Sequence, residues 1–147
     1  MFTLRPATAA EDHAIKDLIH QVGINPMSLD WRRFLLAVDD RGLIIGCGQV
    51  KPHFDGTCEL ASIAVVPEHR GEGIARALIE RLMRENPPPL YLTCLKSMQP
   101  LYIKFGFRDV PPAEMPAYFR RLWRIARFVT FIAPRDNPLT VMLWEGK

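Results

Sequence analysis

The sequence has 147 residues and a mass of 16.8 kDa, a length typical of one domain and too short for two independent cores. Hydrophobic residues make up 48% and charged residues 24%, which excludes a disordered chain, a collagen-like fibre and a disulfide-stapled miniprotein. No apolar run approaches the ~20 residues that span a bilayer, and the first residues lack the apolar segment of a secretory signal, so we expect a cytoplasmic protein without a membrane span.

The charge and the cysteines exclude further classes. The net charge is +3, from 19 basic and 16 acidic residues, which is too small to predict a nucleic-acid partner. Cys47, Cys58 and Cys94 are odd in number and lack zinc-ligand spacing, so we expect small buried side chains and no metal.

The first elements in chain order alternate between strand and helix. An extended segment at residues 2–5 ends at a proline, and a 3.6-residue apolar periodicity predicts a helix from residue 9 to residue 22. Ser28 or Asp30 is expected to cap a short helix through Phe34. A strand follows at residues 35–38.

A hairpin is predicted at the centre of the chain. Residues 43–54 and 57–66 have strand character and flank Asp55-Gly56. This dipeptide favours a two-residue type I′ turn, in which both positions have positive φ. The second strand is almost entirely apolar and ends at Pro67, as expected of a central strand of an α/β sheet.

The remaining elements complete an α/β pattern. We predict a helix over 70–85, a strand over 90–95, a short helix over 101–105 and a last strand over 139–144. This alternation indicates a layered α/β fold that contains a parallel strand pair.

Two glycines mark the junction between the buried strand and the next helix, in the stretch Arg70-Gly71-Glu72-Gly73-Ile74-Ala75. Glycine lets backbone approach a ligand closely, and the first N–H groups of a helix lack intrahelical partners. The junction therefore suits a phosphate or pyrophosphate. The alternative is a glycine-softened helix start without a ligand. Neither a Walker loop nor the longer dinucleotide fingerprint is present.

Two motifs resemble those of the GNAT acetyltransferases. The stretch from Glu59 to Pro67 followed by Arg70-Gly71-Glu72-Gly73-Ile74-Ala75 is similar to motif A, in which Arg70, Gly73 and Ala75 match the signature. The stretch Tyr102-Ile103-Lys104-Phe105-Gly106-Phe107 is similar to motif B. The resemblance covers roughly residues 2–110 and the final strand.

The resemblance implies an α/β GNAT fold, a central mixed, mostly antiparallel twisted sheet with a splayed parallel strand pair and helices on both faces. It implies acetyl-CoA as co-substrate, with the pantetheine arm between the motif A strand and residues 92–95. The matching positions for the arm are Ile63, Ala64 and Val65, and the Ile63 and Val65 amides would polarise the thioester carbonyl. Those for the pyrophosphate are Arg70, Gly71, Glu72, Gly73, Ile74, Ala75 and Arg76.

The family's reaction is direct transfer of acetyl to a primary amine, which needs a base and an acid. The resemblance implies Glu59 as the base and Tyr102 as the acid that protonates the leaving thiolate. The alternatives are a strand-edge Glu59 that faces solvent and a Tyr102 that only packs under the sheet.

Other polar side chains near these motifs have weaker claims to a role. His53 and Asp55 are alternative bases at the hairpin end, although a surface position is the expected one for His53. His69 precedes the phosphate loop, where we expect solvated surface. Cys94 raises a covalent acetyl-cysteine route, but no neighbouring base is evident, and buried filler is the expected role.

The main departure from the family is an insertion at residues 111–138, where an amphipathic helix is predicted over 117–131. Its arginines give +5 without an acidic residue between positions 117 and 135. A helix docked on the sheet with a solvated arginine face is the leading interpretation. A lid, a dimer contact, anionic lipid, nucleic acid or a carboxylate substrate are the alternatives. A family asparagine is also missing, and Ser97 or Gln99 is the candidate substitute.

We therefore expect a single acetyltransferase domain over 1–147 that acetylates a primary amine of a small molecule or amino acid. Cys47 and the motif A strand also resemble the acetyltransferase domain of N-acetylglutamate synthases, which implies an acidic amino-acid acceptor. Protein lysine or N-terminal amines are the alternative acceptors. A non-catalytic CoA-binding or adaptor module is the alternative of another class, and a homodimer is left open.

Overall fold

The structure, a computed structural model, describes residues 1–128 and 135–146. These residues form two compact units. The first contains residues 1–51 and 60–86, and the second contains residues 52–59 and the described residues after position 86. The expectation of one domain over 1–147 stays a prediction.

The first unit carries two helices and most of the residues of four strands. The elements are β1 (Phe2–Pro6), α1 (Asp12–Val22), β2 (Phe34–Asp39), β3 (Ile44–Pro52), β4 (Cys58–Val65) and α2 (Ile74–Glu85). β1 and β2 pair antiparallel from Phe2↔Asp39 to Pro6↔Leu35, and β3 follows β2 antiparallel.

The core of the first unit forms where α1 packs on β2. Ile15, Leu18 and Ile19 recur on one face of α1 and are buried against alternate residues of β2, namely Phe34, Leu36 and Val38. The helix ends at Gly23 in the left-handed region with φ of 81°, a C-terminal conformation that glycine adopts without strain. The predicted amphipathic helix is confirmed.

Two glycines of β3 allow close packing in the first unit. A Cβ atom added to Gly46 would lie 2.8 Å from Cγ2 of Ile74, and one added to Gly48 would lie 2.6 Å from Cδ1 of Ile63. These positions therefore provide the room that α2 and β4 occupy next to β3.

The second unit is built on β5, β6 and β7 with two helices. Its elements are β5 (Leu90–Leu95), α3 (Gln99–Ile103), β6 (Arg108–Asp109), α4 (Ala117–Phe128) and β7 (Leu139–Trp144). β5 and β7 pair antiparallel from Leu90↔Trp144 to Leu95↔Leu139, and β6 pairs with β7. Glu59, at the start of β4, pairs parallel with Tyr91 of β5.

The strand order is β1-β2-β3-β4-β5-β7-β6, and β4 with β5 is the parallel pair among the described residues. This mixed, mostly antiparallel pairing confirms the predicted α/β fold class. A parallel pair held at one register position is the arrangement expected of a splayed pair.

The insertion is anchored by an apolar cluster in the second unit. Phe119 of α4 is fully buried among Val110, Met115, Val141 and Leu143. The helix is confirmed as far as Phe128, and its predicted continuation over 129–131 lies outside the described residues. The outward side chains of Arg121, Arg124 and Arg127 are exposed, as the solvated arginine face predicts.

Two local predictions are wrong. Gly56 has a φ of 85°, but Asp55 is not among the positive-φ residues. His53 accepts from the Gly56 N–H at 3.0 Å and donates to Thr57 at 2.9 Å, which defines a three-residue loop in place of a type I′ turn. The second helix begins at Ile74 and not at residue 70, because Gly71 and Gly73 adopt left-handed conformations that the helix cannot include.

Candidate active site

The centre of the candidate site is a carboxylate–imidazole pair inside the second unit. Oε1 of Glu59 lies 2.7 Å from Nε2 of His53, and each side chain keeps only 8% of its surface exposed. Oε2 of Glu59 lies 3.5 Å from Oγ1 of Thr93. Glu59 is therefore buried and partnered, and the alternative of a solvent-facing strand-edge charge is wrong.

The ring of His53 is enclosed by aromatic side chains of α4. Tyr118 stacks on it with ring centroids 3.6 Å apart and an interplanar angle of 13°. Phe119 meets it edge-on at 5.6 Å and 88°. The expected surface position of His53 is wrong, because its side chain is buried and paired with Glu59.

Asp55 ties the hairpin to the insertion. Its Oδ1 atom accepts hydrogen bonds from the backbone and side chain of Thr57, and its Oδ2 atom accepts from the backbone N–H of Tyr118 at 3.0 Å. Burial alone would raise the pKa of Asp55, but the hydrogen bonds from Thr57 and from the Tyr118 amide outweigh it and lower the pKa. With both oxygens engaged, Asp55 is a structural anchor and a poor base.

Tyr102, the proposed acid, lies on α3 in the second unit. Burial, with a smaller effect of Cys94, raises the pKa of Tyr102 to about 12. Within the described part of the chain its hydroxyl makes no hydrogen bond, and its ring meets Phe107 edge-on at 6.2 Å. The hydroxyl thus keeps its proton at neutral pH and can donate a hydrogen bond to a ligand.

Cys94 does not have the surroundings of a nucleophile. Burial raises the pKa of its thiol, and the contact with Thr140 opposes this only in part. The Sγ atom lies 3.7 Å from Oγ1 of Thr140 and 3.9 Å from the sulfur of Met142. No base is among these contacts, which agrees with a filler role, although Cys94 is half-buried and not buried as expected.

Strand β4 contains a backbone irregularity shortly after Glu59. Ser62 has a φ of 60°, an uncommon conformation for a residue with a side chain. Its Oγ accepts from Nε2 of Gln49 at 2.8 Å, and its carbonyl accepts from Sγ of Cys47 at 3.5 Å. These buried partners of β3 hold the strained residue immediately before Ile63, Ala64 and Val65.

The glycine junction has the form of an anion cradle. Gly71 and Gly73 have φ values of 84° and 81°, and a Cβ atom at either would meet nothing within 4 Å. No side chain caps the start of α2, and no acidic residue lies in its first turn. Uncapped N–H groups at an open, glycine-lined helix start fit a pyrophosphate.

Charged side chains around this junction are paired locally. Nδ1 of His69 lies 3.0 Å from Oε2 of Glu72, and Nε of Arg76 donates to Glu80 at 3.0 Å. The carboxylate of Glu72, which would repel a phosphate, is therefore partnered by an imidazole. Arg70 is exposed.

The two candidate substitutes for the missing asparagine already have partners. The Ser97 N–H donates to Oδ1 of Asn137 at 2.9 Å, and Nδ2 of Asn137 donates to the Ser97 hydroxyl at 2.9 Å. Gln99 donates to Asp109 at 2.7 Å. Ser97 and Gln99 thus stabilise the connections around α3 in this structure.

The family model for the acetyltransferase (GNAT) domain matches residues 30–109, more than half of the chain. The chain belongs to the GNAT acetyltransferases. It is therefore an acyltransferase, and acetyl-CoA is the acetyl donor of its family. The resemblance read from motifs A and B is confirmed.

Several solved structures share the fold at low sequence identity. N-acetylglutamate synthase of Neisseria gonorrhoeae, crystallised with coenzyme A and N-acetyl-glutamate, has a TM-score of 0.77 and 16% identity over 99% of this chain. Rv2747 of Mycobacterium tuberculosis, crystallised with CoA, has a TM-score of 0.72 and 22% identity over 97% of this chain and 98% of its own. The ribosomal-protein-S18-alanine N-acetyltransferase of Escherichia coli has a TM-score of 0.66 and 16% identity over 99% of this chain and 94% of its own.

The present chain spans about a third (35%) of the N. gonorrhoeae synthase chain. No curated protein sequence matches it. In the described ranges, no helix is long and apolar enough to cross a bilayer. Among the same residues, no three His, Cys, Asp or Glu side chains are grouped to hold a metal ion.

The insertion's part in the site was not foreseen from the sequence. The spacing of Phe119, Leu122 and Ala126 predicts a buried stripe on α4, but nothing local indicates that Tyr118 stacks on a histidine 65 positions earlier in the chain. A hairpin that reverses between His53 and Glu59 was a usable signal, since it brings both side chains to one end of the same pair of strands.

Proposed function

We propose that this GNAT acetyltransferase transfers the acetyl group of acetyl-CoA directly to the primary amine of a small molecule or amino acid. The observation that carries the proposal is the buried pair of Glu59 and His53, 2.7 Å apart. A primary amine has a pKa of ~10.4 and is protonated at neutral pH, so it needs a base before it can attack a carbonyl.

Glu59 is the base of this proposal. Its Oε1 atom is engaged by His53, which leaves Oε2, near Thr93, to take the proton of the acceptor's ammonium group. The imidazole, with its Nε2–H directed at Oε1, holds the carboxylate in one orientation, and the transferred proton resides on Oε2. Positioned proton transfer of this kind contributes typically ~10²–10⁴-fold in rate.

The donor is held by main-chain groups of the first unit in this proposal. Acetyl-CoA supplies an activated acetyl group as a thioester. The N–H groups from Gly71 to Arg76, at the junction and the start of α2, bind the pyrophosphate, next to the exposed side chain of Arg70. The stretch of Ile63, Ala64 and Val65 binds the pantetheine arm through the N–H groups of Ile63 and Val65, since the Ala64 N–H is directed at Cys47 of β3. A donor placed against the thioester carbonyl is worth ~10²–10³ in rate.

Tyr102 assists the departing sulfur. The pKa of Tyr102, about 12, is well above the ordinary pKa of a thiol, which is ~8.5. Complete proton transfer from Tyr102 to the thiolate is therefore uphill, and we assign the hydroxyl the role of a hydrogen-bond donor that stabilises the thiolate. This refines the general-acid role that motif B implies.

The burial of the base supports a small acceptor. Glu59 and His53 lie beneath the aromatic side chains of α4, so a slim amine reaches the carboxylate more readily than a residue on a folded protein surface. The N. gonorrhoeae synthase was crystallised with N-acetyl-glutamate, which makes acidic amino acids the first acceptors to test.

The test is free-thiol release from acetyl-CoA in the presence of an acceptor panel. The panel contains glutamate and other amino acids, polyamines, and peptides with a free N-terminal alanine or a lysine. We expect thiol release with at least one small amine, and a product heavier by one acetyl group. Turnover with the peptides alone would reassign the acceptor to proteins. Acetyl-CoA binding without any amine-dependent thiol release would favour the non-catalytic module.

A second measurement separates direct transfer from a covalent route. The intact protein is incubated with acetyl-CoA alone and weighed by mass spectrometry. The surroundings of Cys94 predict an unmodified mass, and Cys94→Ala is expected to keep its turnover. A stoichiometric acetyl adduct on Cys94 that is discharged by the acceptor would replace direct transfer by a ping-pong reaction.

A further inference from the structure

We infer that the insertion helix α4 is a working part of the active site and that Tyr118 is a positioning residue for the Glu59–His53 pair. The inference rests on the proposed role of Glu59 as base. Residues 117–128 lie outside the range 30–109 that the GNAT family model matches, so family membership does not assign this helix a role.

Two aromatic side chains of α4 contact the imidazole of His53. Tyr118 lies face to face with the imidazole of His53 at 3.6 Å and 13°, while Phe119 closes an edge of the same ring at 5.6 Å. Consecutive residues of one helix therefore fix both the plane and the edge of the imidazole. A ring held in this way keeps its Nε2 atom directed at Glu59 without a search among rotamers.

Two further contacts anchor α4 beside the His53 ring, one to the hairpin and one to β5. The Tyr118 N–H, in the first turn of α4, donates to Asp55 on the same hairpin that carries His53 and Glu59. Phe119 is fully buried and stacks on Tyr91 of β5 at 5.0 Å and 26°. Tyr91 is in turn the parallel partner of Glu59. The hairpin, α4 and β5 thus form one closed set of contacts around the carboxylate.

The position of the Glu59 carboxylate determines how well it acts as a base. A general base that is misplaced by about 1 Å loses on the order of 10² in rate. Without the Tyr118 ring, His53 gains rotational freedom and water reaches Glu59, so Oε1 loses its fixed partner. The donor-binding residues are not among these contacts. The inference therefore predicts a fall in kcat with an unchanged KM for acetyl-CoA.

The test uses three variants of the full chain. Tyr118→Ala removes the stack, Tyr118→Phe keeps it without the hydroxyl, and Arg124→Ala changes an exposed residue of the same helix. We expect kcat to fall about ten- to a hundredfold in Tyr118→Ala. It should stay within about threefold of the parent in Tyr118→Phe, and be unchanged in Arg124→Ala. The acetyl-CoA KM is expected to stay within about twofold in all three.

A spectroscopic signature reports the stack without turnover. Ring protons above an aromatic face resonate upfield, so the His53 ring protons should be shifted upfield in the parent and in Tyr118→Phe, and not in Tyr118→Ala. If Tyr118→Ala does not fold, Tyr118→Leu, which keeps apolar bulk without a π face, is measured in its place with the same expectation.

The outcomes distinguish the base role of Glu59 from the positioning role of Tyr118. An active Glu59→Gln variant would overturn the proposed base. An inactive Glu59→Gln variant, with full kcat in a folded Tyr118→Ala variant, would overturn the positioning role alone. Equal losses in Tyr118→Ala and Tyr118→Phe would place the effect in the hydroxyl and overturn the stacking argument.

Discussion

Nε2 of His53 and Oε1 of Glu59 are 2.7 Å apart across the end of the β3–β4 hairpin. The distance follows from the three-residue loop, in which the backbones of His53 and Thr57 are hydrogen-bonded at 2.9 Å. A buried carboxylate without a partner would cost several kcal/mol. The imidazole offsets that cost at Oε1, and Oε2, whose contact with Oγ1 of Thr93 is long at 3.5 Å, is the oxygen left for chemistry.

Glu59→Gln is expected to lower kcat by about 10²–10⁴-fold, because an amide of the same shape cannot take a proton. The acetyl-CoA dissociation constant, measured by calorimetry, should not change. Glu114→Gln, at an exposed acidic residue of the same unit, is the matched control and should keep full turnover. Comparable turnover in the two variants would remove Glu59 from the mechanism.

Tyr102→Phe is expected to lower kcat by about 10²-fold with little change in acetyl-CoA affinity, because it deletes a hydrogen-bond donor to the leaving sulfur and keeps the packing of the ring. Steady-state kinetics and calorimetry on the same sample separate the two quantities. Equal losses of binding and turnover would show that Tyr102 serves only in packing.

The alkaline titration of the protein tests the burial of its tyrosines. The chain has three tyrosines. Burial is the first cause that raises the pKa of each, to about 12 for Tyr102. Ultraviolet absorbance should therefore show less tyrosinate near pH 10 in the folded protein than in denaturant.

The same rise in tyrosine pKa makes the stability of the protein depend on pH in the alkaline range. Between pH 10 and about 12 the unfolded state releases tyrosine protons that the folded state retains, so the free energy of unfolding falls as pH rises. A folded protein in which a tyrosine titrates at its ordinary pKa would contradict the burial of that residue.

Gly73→Val is expected to weaken acetyl-CoA binding at least tenfold, because a β-branched residue at a φ of 81° strains the cradle and places a side chain where the pyrophosphate binds. Gly42→Val is a close control, since Gly42 has a φ of 82° and is equally open. Both variants should lose about 1–2 kcal/mol of stability. Only the Gly73 variant should lose affinity, and equal affinities would reject the pyrophosphate assignment.

The sequence predicted most of the fold because its signals are local. The apolar stripes of α1 and α2 and the strands at residues 90–95 and 139–144 follow from periodicity within one segment. The turn at Asp55-Gly56 was misjudged because the Asp55 carboxylate binds Thr57 and Tyr118. Those contacts favour a three-residue loop, whereas the preference of the Asp-Gly dipeptide alone favours a two-residue turn.

The candidate site was predictable only where motifs carry it. Motif A pointed to Glu59 and the glycine junction, and motif B pointed to Tyr102. The pairing of Glu59 with His53 and the cover by Tyr118 depend on tertiary contacts between a hairpin and a helix far apart in the chain. Residue type and spacing do not predict such contacts.

Acid titration provides a test of the first unit that is independent of catalysis. Arg5 donates to both carboxylate oxygens of Glu11 at 2.9 and 2.7 Å, and the Thr8 N–H donates to Oε1 at 2.9 Å. The hydrogen bonds from Arg5 are the main cause that lowers the pKa of Glu11 from 4.5 to about 2. Burial opposes this effect, and the hydrogen bonds from Thr8 add to it. A carboxyl with a depressed pKa stabilises the fold fully above pH 4.5 and loses this contribution as the pH falls toward 2.

Glu11→Gln should therefore lower the free energy of unfolding by about 1–2 kcal/mol at pH 7, after allowance for solvent screening of the partly exposed Arg5. The difference from the parent should shrink steadily below pH 4.5 and vanish near pH 2. Urea unfolding at a series of pH values measures it. Glu80→Gln removes an exposed pair with Arg76 and should change stability by less than about 0.5 kcal/mol at every pH. A pH-independent deficit in Glu11→Gln would mean that its loss is one of packing and not of charge.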